Sequence, residues 1–226
     1  MLWLLAMPIT ALPPPVLPAT AAAAAAAPIN RPDSADSPEL NEPAKVRSGL
    51  VLGLSLGGGA FGASGYPNSS SEINDPRFYS ASGLVGGTSD SLLVMGAISD
   101  YVNFGFWFGG NATDNGHWRS TAFGAGVRLE IFPLIAVYPR LKGLAFFGAF
   151  GIGGGDLKSE EPDPAPEAKG VQSFLGTGAF YEFDFGHFLG GHFGAGPSLE
   201  YDAVWSQAFE RHGAVASARV VFYGGP

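Results

Sequence analysis

A two-residue alternation of large and small side chains is the feature of this sequence that most restricts its fold. Between Val102 and Phe108 every second residue is Val or Phe, and the residues between them are Asn, Gly and Trp. Successive side chains of an extended chain point to opposite faces, so this pattern indicates a β-strand with two unlike faces. The pattern recurs in about eight segments, which predicts an all-β fold. The segments are residues 50–57, 92–98, 102–108, 124–131, 144–153, 175–184, 192–205 and 214–223.

The composition leaves little material for a surface that faces water. Only 14% of the residues are charged, whereas soluble domains have about a quarter. The chain has 34 glycines, a net charge of −8 and no cysteine. The negative charge disfavours nucleic-acid binding. Without cysteine there is no disulfide, no thiolate nucleophile and no Cys-based metal site.

The small residues decide which face of the strands meets lipid. A soluble lipocalin-like barrel also alternates, but its outer face should carry many Lys, Thr and Glu side chains. Here the strand face opposite the large Leu and Phe side chains is mostly Gly and Ala with a few charges. Side chains fill the interior of an eight-stranded barrel, so small residues fit there and the Leu and Phe side chains face lipid. The sequence therefore predicts a transmembrane antiparallel up-and-down β-barrel, most simply of eight strands.

In this pattern residues 48–223 resemble the small outer-membrane β-barrel proteins of Gram-negative bacteria. The resemblance implies a location in the bacterial outer membrane, outer-membrane lipids as partners, and contact with the barrel-assembly machinery during biogenesis. We expect a monomer without a cofactor.

The N-terminal region differs in composition from the barrel. Residues 1–27 combine an apolar start with a run of alanines, which is typical of a signal peptide. Residues 28–47 are rich in Pro, Asp and Glu and are predicted to form a disordered periplasmic tether. Residues 48–226 are then the outer-membrane β-barrel.

Charged residues on the predicted inner face are the candidate site. Buried charges are costly unless they are paired and hydrogen-bonded. We therefore expect an interior charge network that closes the lumen to water; the alternative is a gated polar pore or a proton-linked site. The members are Arg128, Glu130, Glu182, Glu200, Asp202 and Arg219.

Other motifs favour no chemistry. Residues 53–57 match G-x-S-x-G and residues 57–62 match G-x-G-x-x-G. Both motifs require a helix directly after them, and the sequence predicts none after either segment. The four histidines lack metal-ligand spacing. His117 and Ser120 lie close together in the sequence, but nothing else there supports a lipid-modifying enzyme. We therefore expect no catalytic, cofactor-binding or metal-binding residues.

The sequence favours a non-enzymatic integral barrel with a packed interior and a structural or surface-interaction role. That role would depend on its outer loops, notably residues 67–82 and 158–169. Three alternatives remain open at this point: a narrow channel or carrier for small apolar molecules, a lipid-modifying outer-membrane enzyme, and a soluble lipocalin-like binding barrel. The surface partner is not predicted.

Overall fold

A computed structural model describes residues 47–225 of the chain. The predicted signal peptide, and the predicted tether as far as residue 46, lie outside the described residues. Within residues 47–225, no helix is long and apolar enough to span a membrane.

The described chain forms nine β-strands in one antiparallel sheet. They are β1 (Gly49–Gly65), β2 (Ser80–Ser99), β3 (Val102–Asp114), β4 (Trp118–Ile131), β5 (Leu144–Ser159), β6 (Ala168–Tyr181), β7 (Phe183–Phe188), β8 (Gly191–Trp205) and β9 (Phe209–Gly224). Short 3-10 turns occupy Pro76–Phe78 and Pro139–Leu141. Each strand pairs with the next along the chain, except that β6 and β7 both pair with β8. The last strand, β9, pairs with β1 and closes the sheet.

The closed sheet is an eight-stranded barrel, because β6 and β7 are two parts of one barrel strand interrupted at Glu182. Paired residues followed once around the barrel from Gly53 lead back to β1 at Ala63, ten residues further along. Such a stagger requires the strands to tilt, typically by about 35–45°. The predicted fold class, an up-and-down barrel of the outer-membrane type, is confirmed.

The large apolar side chains lie on the outside of the barrel. Phe104, Phe106 and Phe108 are 47%, 59% and 45% exposed, whereas Asn103 and Trp107 between them are buried. The same alternation continues around the barrel and produces a continuous apolar belt. Its members include Leu50, Leu52, Leu54, Leu56, Leu92, Val127, Leu129, Ile131, Phe146, Phe150, Ile152, Leu175, Leu199 and Val220. An exterior of this kind suits lipid, agrees with the predicted outer-membrane location, and contradicts the soluble lipocalin-like alternative.

Glycines on the inner face allow the strands to pack around a crowded lumen. A methyl group added to Gly126 of β4 would overlap the carbonyl oxygen of Phe150, and one on Gly151 of β5 would overlap that of Ala125. By contrast, Gly148 on the outer face has open space beside it. Glycine is therefore required at particular inward positions, which agrees with the inward placement of the small-residue face.

The strands extend beyond the segments that the sequence pattern predicts. Residues 80–87, which precede the predicted segment 92–98, are also strand, since β2 begins at Ser80 and pairs with β1. Pro197 lies within β8, and the neighbouring barrel strand is interrupted beside it, between Tyr181 and Phe183. Pro197 has no N–H to donate, which fits a missing ladder bond there.

The barrel has two distinct ends. Gly49 and Gly224 lie at one of them, the terminal end, together with the 132–143 connection. The opposite, loop end carries the 66–79 and 160–167 loops and two shorter turns.

Candidate functional site: the barrel interior

The six charged residues predicted for the interior all point inward. Arg128 and Glu130 come from β4, Glu200 and Asp202 from β8, and Arg219 from β9, while Glu182 occupies the break between β6 and β7. The side chain of Glu200 is 11% exposed, and the other five residues are buried. Every second residue of a strand faces the lumen, and this alternation brings these charges together.

Glu130 is the centre of the first interior cluster, which we call the Glu130 cluster. Its carboxylate accepts hydrogen bonds from Arg128 Nε at 2.9 Å and from Arg219 Nη2 at 2.9 Å. Arg219 donates a second hydrogen bond, from its Nη1 to Glu130 Oε1. Asn103 Nδ2 donates to Glu130 Oε2 at 3.2 Å. Both carboxylate oxygens are thus satisfied by charged donors, which makes these hydrogen bonds strong.

Arg47 organises a second cluster, the Arg47 cluster, at the terminal end. Its Nη2 lies 3.1 Å from Glu182 Oε1 and its Nε donates to Tyr223 Oη at 3.3 Å. Tyr223 Oη in turn donates to Glu182 Oε2 at 2.7 Å. The backbone N–H of Arg47 donates to Asp100 Oδ1 at 2.9 Å. Arg47, two residues before β1, is therefore held inside the mouth of the barrel.

Towards the loop end the charges are spaced more widely. Glu200 Oε2 lies 3.9 Å from Arg128 Nη1, and Arg211 Nη1 donates to Ser120 Oγ at 2.6 Å. Asp202 Oδ1 and Arg211 Nε are buried without a hydrogen-bond partner. This part of the lumen contains a cavity of about 20 Å³ lined by Asp202 and Arg211, which has room for roughly one water molecule.

Each interior arginine also lies over an aromatic ring. The guanidinium carbon is 3.5–4.8 Å from the ring centroid in all four cases. The pairs are Arg47 with Phe132, Arg128 with Phe147, Arg211 with Phe61 and Arg219 with Phe180. Such stacking stabilises a cation that has lost water, and here it also fills the lumen.

Sequence reasoning missed two of these arginines. The predicted set had two arginines against four carboxylates; Arg47 and Arg211 bring the described interior to four of each. Arg47 was assigned to the tether, and Arg211 precedes the predicted start of the last strand. Extending the inward alternation of β9 from Arg219 by four steps of two would have reached Arg211. The imbalance of charge was itself a signal, because unpaired buried carboxylates are costly.

Stacked aromatic rings lie in the lumen on the loop-end side of the Glu130 cluster. The rings of Trp107 and Phe174 lie 4.3 Å apart at an interplanar angle of 12°. Together with the arginines and their rings, this stack fills the section of the barrel between its two ends.

The residues that hinted at a hydrolase have separate partners. Ser120 is buried and its Oγ donates to the Asp156 carbonyl at 2.6 Å, whereas His117 Nδ1 lies 3.1 Å from Glu161 at the surface. Ser55, the serine of the G-x-S-x-G match, lies within β1 and bonds to Ser217 Oγ at 2.8 Å. Across residues 47–225, no set of three or more His, Cys, Asp or Glu side chains is arranged to hold a metal ion.

The long loop of residues 66–79 contains a local ion pair between Asp75 and Arg77. Asp75 accepts from the backbone N–H of Arg77 at 3.1 Å and from its Nη2 at 2.6 Å. These bonds hold the pKa of Asp75 below its usual value. The pair starts the short 3-10 turn that leads back to β2.

Comparison with known proteins finds similarity in shape alone. No protein-family model and no curated protein matches the chain. Among solved structures, the attachment invasion locus protein Ail of Yersinia pestis matches at 9% identity and a TM-score of 0.49, covering 77% of this chain and 99% of that one. Neisserial surface protein A matches at 11% identity and a TM-score of 0.40, covering 76% of this chain and 95% of that one. The N-terminal β-barrel domain of Pseudomonas aeruginosa OprF matches at 11% identity and a TM-score of 0.38, covering 76% of this chain and 98% of that one.

Proposed function

We propose that this protein is a non-conducting outer-membrane barrel that anchors its loop end at the cell surface, where the loops contact the surroundings. The observation that carries the proposal is the closed interior. A conducting barrel needs a continuous polar passage, whereas this lumen is crossed by paired charges and stacked rings.

The Glu130 cluster supports a structural role for the interior charges. Glu130 is fully buried, and its carboxylate is bonded by both Arg128 and Arg219. Opening a passage would separate these hydrogen-bonded charged groups. The charge-assisted hydrogen bonds within the cluster favour the closed arrangement.

The loop end supports the surface role. The 66–79 loop is the longest connection within residues 47–225, and the 160–167 loop carries several exposed carboxylates. Loops held on a rigid barrel are well placed to bind partners, since the barrel fixes their positions while their sequences remain free to vary.

Conductance tests the closed interior. Purified protein is inserted into planar lipid bilayers, and liposome swelling is followed in parallel with a general porin as the positive control. We expect no discrete conductance steps and no swelling with small sugars. Steady single-channel steps from the wild-type protein would overturn the proposal and favour the narrow-channel alternative.

Cysteine labelling tests the orientation. Because the chain has no cysteine, single substitutions give no background. Ser70→Cys, in the 66–79 loop, should react with a membrane-impermeant maleimide on intact cells. Ala136→Cys, in the 132–143 connection, should react only after the outer membrane is permeabilised. The reverse pattern would refute the surface role of the loop end.

A further inference from the structure

A groove on the outside of the barrel at its loop end has no part in the closed interior. It consists of two adjoining depressions of about 200 and 340 Å³ that share Ser64, Tyr79 and Glu210. We call it the rim groove. It lies where β9, β1 and β2 meet at the loop end, next to the turn that joins β8 to β9.

Aromatic side chains border the rim groove. The rings of Tyr66 and Tyr79 lie 5.3 Å apart, and Tyr79 is 49% exposed. Trp205, the register partner of Glu210, and Tyr201 are also exposed. Aromatic rings with one polar end pack against apolar C–H surfaces while the polar end keeps its hydrogen bonds.

The polar groups of the rim groove are acceptors and neutral donors. Glu210 is exposed, and its Oε1 accepts from Ser64 Oγ at 3.2 Å. Gln207 and His212 also line the groove, and Tyr201 Oη lies 2.8 Å from His212 Nδ1. No Lys or Arg is among the groove-lining residues. A phosphate or sulfate group would meet the Glu210 carboxylate without a compensating cation, so the groove suits an uncharged hydroxylated ligand.

Below the groove β1 and β9 carry small apolar residues on their outer faces, beside the exposed Thr88 and Asp90 of β2. Leu84 at its edge is 78% exposed. The outward residues beneath it are small on two adjacent strands, with Gly58 paired to Ala216 and Ala60 paired to Ala214. This surface continues into the lipid-facing belt at Leu56, so it can accept an extended alkyl chain by close van der Waals contact.

We propose that the rim groove binds the uncharged sugar head group of a membrane lipid, with the lipid's alkyl chain on the small-residue surface below. The apolar face of a sugar ring packs on Tyr79, and its hydroxyl groups donate to Glu210. This inference rests on the proposed function, because it requires the barrel to lie in a membrane with its loop end at the surface.

The test measures lipid retention. The protein is reconstituted in phosphatidylcholine nanodiscs that contain a small fraction of monoglucosyl diacylglycerol, and native mass spectrometry counts the lipids that stay bound. We expect the glucosyl lipid to be retained at least about tenfold above its share of the bilayer, a preference of about 1.4 kcal/mol. Tyr79→Ala and Glu210→Gln should each abolish the preference. An absence of preference in the wild-type protein would overturn the proposal.

Matched controls separate the groove from general anchoring by interfacial aromatics. Tyr138→Ala removes an exposed tyrosine at the terminal end, and Glu161→Gln removes an exposed carboxylate from the 160–167 loop; neither should change retention. Equal losses in the control variants would overturn the assignment to the groove. Gel mobility before and after heating shows that each variant is folded.

Free glucose and maltose distinguish the source of the sugar. Binding of either at the affinity of the glucosyl lipid would overturn the membrane source that we propose. Failure of lipid retention in a protein whose Ser70→Cys variant labels from outside would refute the rim groove alone. Single-channel steps would refute the proposed function and leave the retention result standing.

Discussion

Replacing Glu130 with Gln tests whether the interior charges hold the barrel together. The substitution keeps the size of the side chain, so no cavity opens, but it removes the negative charge shared by Arg128 and Arg219. Both arginines are then buried without a full counter-charge, and Asn103 loses a charged acceptor. We expect the folded barrel to be strongly destabilised.

The magnitude follows from the geometry. Glu130 is 0% exposed and bonds to both arginines at 2.9 Å. Two unit charges about 4 Å apart attract each other by about 4 kcal/mol at an effective dielectric constant of 20. The amide oxygen of Gln still accepts one hydrogen bond and offsets part of this loss. The net cost should therefore fall in the range of about 3–5 kcal/mol that is typical for removing one member of a buried pair.

The assay is reversible urea unfolding in lipid vesicles, followed by tryptophan fluorescence and by heat-dependent gel mobility. Glu161→Gln is the control, since Glu161 is exposed and its loss should change the unfolding free energy by less than about 0.5 kcal/mol. Arg219→Gln and the double variant with Glu130→Gln complete a double-mutant cycle. The double variant should cost less than the two single changes together. If Glu130→Gln lowers the unfolding free energy by less than about 1 kcal/mol, the reasoning is refuted, because an exposed ion pair contributes as much as that.

Three further predictions concern other parts of the barrel. Gly126→Ala should reduce the unfolding free energy by about 1–3 kcal/mol through overpacking against the neighbouring strand, whereas Gly148→Ala, with open space beside it, should leave it unchanged; equal effects in urea titrations would contradict the crowded lumen. Phe106→Lys, at the centre of the apolar belt, should cost about 2–4 kcal/mol in vesicles, and Val137→Lys, in the 132–143 connection, should cost almost nothing; a tolerated lysine in the belt would argue against a lipid-facing surface. Arg47→Ala should lower the temperature of heat modification on gels, and Arg47→Lys should restore part of it, because lysine keeps the charge but loses the planar stack; an unaffected Arg47→Ala variant would show that the terminal end closes without it.

The sequence predicted the strands best where they cross the apolar belt. On β3 the alternation of Phe with Asn, Gly and Trp leaves one interpretation, and the structure confirms which face is outside. In the first half of β2 the outward residues include Gly86, Thr88 and Asp90, so the hydrophobic alternation is lost although backbone pairing continues. For that reason the start of β2 at Ser80 could not be predicted from periodicity.

The interior was predicted in part for a similar reason. Glu130 and Arg219 lie in strongly alternating segments, and their inward direction followed from the residues beside them. Arg47 lies before the first strand, where no alternation exists, and it reaches the lumen because the chain bends into the mouth of the barrel. Its bonds to Glu182 and Tyr223 join parts of the chain 135 and 176 residues away, and single-sequence patterns carry no information at that range.

The sequence positions of the ion pairs have a consequence for assembly. Glu130 comes from the first half of the barrel, and Arg219 comes from its last strand; Arg47 precedes the first strand and meets Glu182 and Tyr223 near the other end of the chain. Before β1 and β9 pair there is no closed lumen, so Arg219 is not yet held against Glu130, nor Arg47 against Glu182. Neutralisation of the interior and joining of the first and last strands become the same event, so the charge clusters favour the completed barrel over every open intermediate.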